Sequence, residues 1–282
     1  MKTPNISTKT KNTWCPGCWN FQILAGFKKY VEGEIKKGAK HKDFAIVSGI
    51  GCHGKIFDYV NLNGLNTLHG RTLPTCLGLK VGNPNLRVYG FSGDGDAFSE
   101  GISHVVHAAR YNSDITYMVH NNQVFALTVG QPTSLTEKGF VDKTTPGGVV
   151  HNALNPIKLM LSMGAGFVAR VYADAKQIEW VLKKASHHKG FKFIEIIQPC
   201  LIFHKDENCQ KHTYQLHKKG HKSNDFNAAM KKAEEFNYQT IEKGTKIPLG
   251  IFYQSKSKSL EEKYPVLEKF MKNGKSWKNI RR

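Results

Sequence analysis

Five short apolar runs alternate with helix-periodic segments, and this alternation constrains the chain more than any other feature. The runs are Phe44-Ala45-Ile46-Val47-Ser48, Leu86–Phe91, Ile115–Val119, Phe167–Val171 and Phe191–Ile197. Helical spacing is predicted over Phe21–Gly33, over residues 70–82 with Leu73, Leu77 and Val81 in register, and over Phe98–Arg110 with Phe98, Ile102, Val105 and Ala109 on one face. Two more helices are predicted at Pro156–Met163 and Ala175–His187, the latter N-capped by Asp174. Strands that alternate with helices build a mostly parallel sheet covered by helices on both faces, an α/β fold. In such a sheet ligands bind beyond the carboxyl ends of the strands. Cys52, Asp94 and Asn122 follow three of the strands, and Cys200 follows the last, so all four are expected at one sheet edge.

Their chemistry suits that edge. Gly93-Asp94-Gly95-Asp96 follows one strand, and Asn121-Asn122 ends the next, 28 positions after Asp94. A carboxylate, an amide oxygen and the Val124 carbonyl supply three oxygens to one hard cation, and a partial oxygen cage leaves Mg²⁺ room for water and phosphate. Gly95 and the helix start after it offer N–H groups to a diphosphate. Taken singly, each motif is an ordinary Gly/Asp turn. Paired at two strand ends, they are the pattern of thiamine diphosphate enzymes. The irregular stretch 121–150, with four Gly and two Pro, is the kind of long loop that carries function.

Six cysteines are present. Cys15-Pro16-Gly17-Cys18 grips one site from a single turn, and Cys52 and Cys200 complete four thiolates. Spacing leaves zinc and a 4Fe–4S cluster both open. The place of Cys52 on the turn facing the thiamine favours an electron carrier. Cys76 reads as a core residue, and Cys209 as a weaker alternative to Cys200. His104 and His107, three apart on a helix, have no carboxylate partner in sequence and read as ordinary helix positions, whereas His53 and His69 lie in loops of the predicted site.

The net charge is +19, from 41 Lys+Arg against 22 Asp+Glu. The lysines are dispersed and form no aromatic-interleaved stripe, so nucleic acid is not the expected partner. No run approaches the ~20 apolar residues of a membrane span. The first ten residues hold no apolar secretory segment, and the cytoplasm is expected. Residues 1–200 are expected to carry the cofactors. Residues 201–282 read as an extension packed on the core with a mobile end, including a helix over Asn227–Lys243 and an apolar piece, Pro248–Tyr253.

Together Trp14-Cys15-Pro16-Gly17-Cys18, Gly49-Ile50-Gly51-Cys52, Leu68-His69-Gly70-Arg71-Thr72-Leu73-Pro74, Gly93–Asp96, Asn121-Asn122-Gln123-Val124-Phe125 and Gln198-Pro199-Cys200 resemble the β subunit of 2-oxoacid:ferredoxin oxidoreductases. Departures fall at Trp19, His53, Phe125-Ala126 and Val129-Gly130-Gln131. The resemblance implies coenzyme A-dependent oxidative decarboxylation of a 2-oxoacid, pyruvate or 2-oxoglutarate, with electrons passed through a 4Fe–4S cluster to ferredoxin. It implies cluster ligation by Cys15, Cys18, Cys52 and Cys200, and Mg²⁺ held by Asp94, Asn122 and the Val124 carbonyl. Thiamine contacts would come from Ile50, Gly51, Cys52, His53, His69, Gly70, Gly95, Asp96, Ala126 and Leu127. His53, Lys55 and Leu127 would face the reacting end, with Lys55 and Leu127 bordering the substrate carboxylate. An acidic ferredoxin would match the positive charge. The Glu that activates the aminopyrimidine has no candidate in this chain. It is expected from a partner α subunit (or α and γ), and this chain alone is expected to be inactive.

Overall fold

A computed structural model describes residues 5–205, 209–238 and 245–273. The chain runs α1 (Asn20–Lys36), β1 (Phe44–Ser48), α2 (Ile56–Tyr59), β2 (Asn63–Asn66), α3 (Thr72–Gly82), β3 (Arg87–Gly93), α4 (Ile102–Tyr111) and β4 (Ile115–Asn121). A small hairpin of β5 (Val124–Phe125) and β6 (Gln131–Pro132) interrupts the long loop. Then come α5 (Pro156–Ser162), β7 (Phe167–Tyr172), α6 (Ala175–Ala185), β8 (Lys192–Ile197), β9 (Thr213–Gln215), α7 (Phe226–Glu234), β10 (Ile247–Gln254), α8 (Leu260–Lys263) and α9 (Pro265–Asn273).

Eight strands form one sheet in the order β2-β1-β3-β4-β8-β7-β10-β9. Every neighbouring pair is parallel except β10 with β7. The central strands are buried along their whole length, as a sheet covered on both faces requires. Alternate residues feed two cores. Phe44, Ile46, Tyr89, Phe91 and Met118 meet α1 and α6 on one face. Ala45, Val47, Val88, Tyr117 and Val119 meet α3, α4, α5 and α7 on the other. Asp174 caps α6, accepting from Gln177 N at 3.0 Å.

Two elements differ from expectation, and a third receives its assignment. The helix expected over Phe98–Arg110 is split. Residues Gly95–Ser99 form a wide π-type turn closed by Glu100 N to Gly95 O at 3.1 Å, and α4 begins only after Gly101. A Cβ on Gly101 would lie 2.8 Å from Gly70 O, so contact with a distant loop fixes the break. The apolar piece Pro248–Tyr253 is the body of a sheet strand, β10. The helix expected over Asn227–Lys243 ends at Glu234, and its last residues, like the expected mobile end, lie partly outside the described residues.

Candidate active site at the carboxyl edge of the sheet

Because β1, β3, β4 and β8 are parallel, Ser48, Gly93, Asn121 and Ile197 end at one edge. Two adjoining cavities open there, of about 90 and 220 Å³. The first collects Ile50, Gly51, Cys52, His53, His69, Asp94, Gly95, Asp96, Asn122, Val124, Ala126 and Leu127 from the residues singled out in sequence. The second collects Cys15, Cys18, Cys52, Cys200 and Lys55. Cys52, Asn122, Ala126, Leu127 and Gln198 line both. Gly70 touches neither directly but braces the first through Asp96.

Asp94 is 1 % exposed. Its carboxylate accepts from Asn122 N at 3.2 Å and from Thr133 Oγ1 at 2.5 Å. Burial pushes its pKa up to about 6, since a dry site disfavours the anion. A buried carboxylate held by two neutral donors is a fitting first ligand for Mg²⁺. The Asn122 amide oxygen accepts from Val124 N at 3.2 Å, which folds the 121–124 turn around the same point. Gly95 has no room for a side chain: a Cβ would sit 2.3 Å from the Phe125 ring. Phe125 therefore lies flush against the candidate diphosphate turn.

Asp96 is 2 % exposed and braces the 49–53 and 69–70 loops. Its Oδ1 accepts from Gly70 N at 2.8 Å and Ile50 N at 3.2 Å, and lies 2.8 Å from His69 Nδ1. Its Oδ2 would be 1.9 Å from a Cβ on Gly49. Its oxygens thus hold protein loops as well as lining the cavity. His53 is buried and its pKa falls to about 3 through desolvation, so the ring is neutral. Its Nε2 stands 3.7 Å from Asp96 Oδ2 and has no hydrogen-bond partner among the described residues.

The four candidate cluster thiols act on one another. Cys15 and Cys200 both oppose ionisation of Cys18, and all three oppose that of Cys52. Burial is the larger cause in both, and pushes Cys52 up to about 11 against the pull of Lys55. Trp14 Nε1 donates to Cys52 O at 2.6 Å, and Phe203 N to Cys200 Sγ at 3.4 Å. Among the described residues no three His, Cys, Asp or Glu converge on a single-ion site. Cys15, Cys18, Cys52 and Cys200 all line the second cavity. Cys76 is fully buried in the core. The Cys209 side chain lies outside the described residues. Lys55 Nζ donates to Thr13 O at 3.3 Å beside the thiols, and Leu127 is half exposed where the two cavities meet.

Several site residues carried no signal in sequence. Thr133 holds Asp94. His120 lines the first cavity. Asn20 touches His120, with His120 Nδ1 2.8 Å from Asn20 Oδ1. Glu137 pairs with His204 at 2.9 Å and accepts from Gln123 Nε2 at 3.2 Å, which ties the segment after Cys200 to the Asn122 loop. Each is a common residue type in an unremarkable local pattern, visible only once the loops converge.

Fold and edge define a thiamine diphosphate enzyme. Residues 49–196 match the family model of the C-terminal TPP-binding domain of thiamine pyrophosphate enzymes, and residues 206–269 match that of the C-terminal part of the pyruvate ferredoxin oxidoreductase beta subunit. The 2-oxoacid:ferredoxin oxidoreductase subunit beta of Saccharolobus solfataricus is 39 % identical over 264 residues, covering 89 % of this chain and 84 % of that protein. The 2-oxoglutarate synthase subunit KorB of Archaeoglobus fulgidus is 38 % identical over 188 residues, 66 % of this chain and 69 % of that one. A solved structure, the 2-oxoglutarate:ferredoxin oxidoreductase from Magnetococcus marinus with 2-oxoglutarate, coenzyme A and succinyl-CoA bound, superposes with a TM-score of 0.85 at 31 % identity, over 98 % of this chain and 92 % of that one. The chain belongs to the β subunits of the 2-oxoacid:ferredoxin oxidoreductase family.

Proposed function

We propose that this β subunit binds thiamine diphosphate through Mg²⁺ on Asp94, Asn122 and the Val124 carbonyl, and a 4Fe–4S cluster on Cys15, Cys18, Cys52 and Cys200. The observation that carries the reading is a buried Asp94 carboxylate lining one cavity and four thiols lining the cavity that adjoins it. With its α partner, the protein oxidatively decarboxylates pyruvate or 2-oxoglutarate, transfers the acyl group to coenzyme A and passes electrons to ferredoxin. Residues 1–200 form the cofactor-bearing part, and residues 201–282 the extension against it.

Thiamine diphosphate supplies the electron sink for decarboxylation, and the cluster accepts electrons one at a time. The chain's own residues prepare the place. Asp96 holds the 49–53 and 69–70 loops together, so Ile50, Gly51 and His69 present fixed surfaces. Neutral His53 offers Nε2 beside Asp96 without adding charge. Lys55 and Leu127 border the space left for substrate, and the Lys55 ammonium suits a second carboxylate, as in 2-oxoglutarate. The partner supplies the activating Glu.

The test is anaerobic co-purification with the neighbouring gene product, followed by metal analysis and assay of pyruvate and 2-oxoglutarate with coenzyme A and a viologen dye. A brown protein bleached by dithionite, with turnover only in the complex, is expected. A colourless protein carrying zinc would overturn the proposal.

A further inference from the structure

A carboxylate buried in the middle of the sheet holds the residue that precedes Asn122. Arg170 on β7 lies opposite Glu195 on β8, and Asn121 ends β4 two positions beyond Val119, which pairs with Glu195. Alternate residues of a strand share a face, so these three side chains stand on one side of the sheet. Arg170 Nε donates to Glu195 Oε2, and Asn121 Nδ2 donates to Glu195 Oε1, each at 2.7 Å. Tyr238 Oη also donates to Glu195 Oε1. All four residues are buried. The Arg170 guanidinium lies 5.3, 5.5 and 5.3 Å from the ring centroids of Phe236, Tyr238 and Phe252, which all come from the C-terminal part of the chain.

Taking an ion pair out of water costs free energy that its own attraction barely offsets, and an apolar pair of similar size often serves stability as well or better. Stability alone therefore does not call for Glu195 at this place. Its connections do. Asn121 Oδ1 has no hydrogen-bond partner among the described residues, so the bond to Glu195 is the one that orients this amide. The Asn121 carbonyl accepts from Gln198 N at 2.8 Å, two residues before Cys200. The next residue, Asn122, donates its N–H to Asp94 at 3.2 Å. Asn121 thus stands where the candidate metal loop leaves the sheet, and Glu195 holds its side chain from behind. Groups that orient a metal ligand in this way tune affinity by about 10- to 100-fold.

We propose that Glu195, fixed by Arg170 and Tyr238, is a positioning residue for Mg²⁺: by holding the Asn121 amide it sets how Asn122 and the Val124 carbonyl leave β4, and it ties the C-terminal part of the chain to the cofactor site. This inference rests on the Mg²⁺ reading above. It is tested on the complete enzyme with its partner, stripped of Mg²⁺ and thiamine diphosphate. Thiamine diphosphate binding is followed by equilibrium dialysis as Mg²⁺ is added, and thermal melting is read in parallel. Two double variants remove the ion pair. Arg170→Met with Glu195→Gln keeps an oxygen that accepts from Asn121. Arg170→Met with Glu195→Leu does not. Both are expected to melt at similar temperatures, yet the leucine pair is expected to need about 10-fold more Mg²⁺ than the glutamine pair, which stays near wild type. Equal Mg²⁺ requirements in the two pairs overturn the proposal, because loss of the ion pair would then act only on stability. Should neither pair assemble, Asn121→Ala decides. A Mg²⁺ requirement raised about 10-fold supports the proposal, and an unchanged one overturns it. A wild-type complex that binds thiamine diphosphate without Mg²⁺, or not at all, overturns the functional reading itself, and this inference with it.

Discussion

The two edges of the sheet treat buried polar groups in opposite ways. At the amino edge β3, β4 and β8 begin beside a cavity of about 450 Å³, larger than either cavity at the carboxyl edge. Its buried groups are engaged. Lys80 Nζ donates to Pro84 O at 2.6 Å and Leu86 O at 3.0 Å, and stands 3.8 Å from Asp114. Lys192 pairs with Asp114, Glu261 accepts from Ser113 and Asp114 N, and Tyr30 bonds Tyr89 at 3.0 Å. His188 Nε2, packed against Gly166, is the exception. At the carboxyl edge His53 Nε2, His120 Nε2, Asn20 Nδ2, Asn121 Oδ1 and Gln198 Oε1 are buried without hydrogen-bond partners among the described residues. Cavity size therefore misleads, and polar satisfaction discriminates. One edge is complete as a structure, and the other is complete only with something bound.

The sharpest way to break this contrast is to neutralise Asp94. Its folded pKa, about 6, lies above the ordinary 3.8, so the folded chain binds this proton more tightly than the unfolded chain does. Ionised Asp94 then costs stability, and the cost grows as pH rises from about 4 to 6. Asp94→Asn is expected to stabilise the cofactor-free chain at pH 7 by on the order of 2 kcal/mol, read by thermal melting. The same change is expected to weaken Mg²⁺-dependent thiamine diphosphate binding by about 100-fold or more, read by calorimetry. A loss of both stability and binding would mean that Asp94 is an ordinary structural residue.

Lys192→Met probes the other edge and should invert the pattern. It leaves Asp114 with the more distant Lys80 and Lys189, a loss of about 2 kcal/mol after allowing for the partial exposure of Asp114. Cofactor affinity should not change. An intermediate case is Thr133→Val, which removes the hydroxyl that orients Asp94. It is expected to cost about 10-fold in Mg²⁺ affinity with little change in melting.

Much of the carboxyl edge was legible because its signals are local. A continuous apolar run located β1 to the residue, and parallel topology alone gathers Cys52, Asp94, Asn122 and Cys200. What escaped depends on pairing across the fold. Arg170 and Glu195 face each other in the β7–β8 register, 2.7 Å apart, and Glu195 in turn holds Asn121 at 2.7 Å. Neither residue stands out in its own strand, where a lone charge argues against burial. The break at Gly101 escaped for the same reason, since its cause is Gly70 in a loop 31 positions earlier. Asn20 follows the two-cysteine turn so closely that it reads as the start of α1, and its partner His120 is 100 residues away.

The smallest expected effect concerns the link between the halves of the site. His204 sits four residues after Cys200, and Glu137 sits in the Asn122 loop; their ion pair at 2.9 Å joins the two. Burial alone would depress His204, yet Glu137 raises it above its ordinary 6.5, and His204 holds Glu137 below its ordinary 4.5. The stabilisation from His204 is full below 6.5 and is lost as pH rises through its raised folded value. That from Glu137 is full above 4.5 and is lost as pH falls through its lowered one. The pair is therefore strongest between about 4.5 and 6.5. Glu137→Gln is expected to lower stability by about 1 kcal/mol inside that window and by less above it, read as melting temperature against pH. A uniform loss at every pH would assign Glu137 to Gln123 alone, and the cysteine segment and the metal loop would then be neighbours without an electrostatic tie.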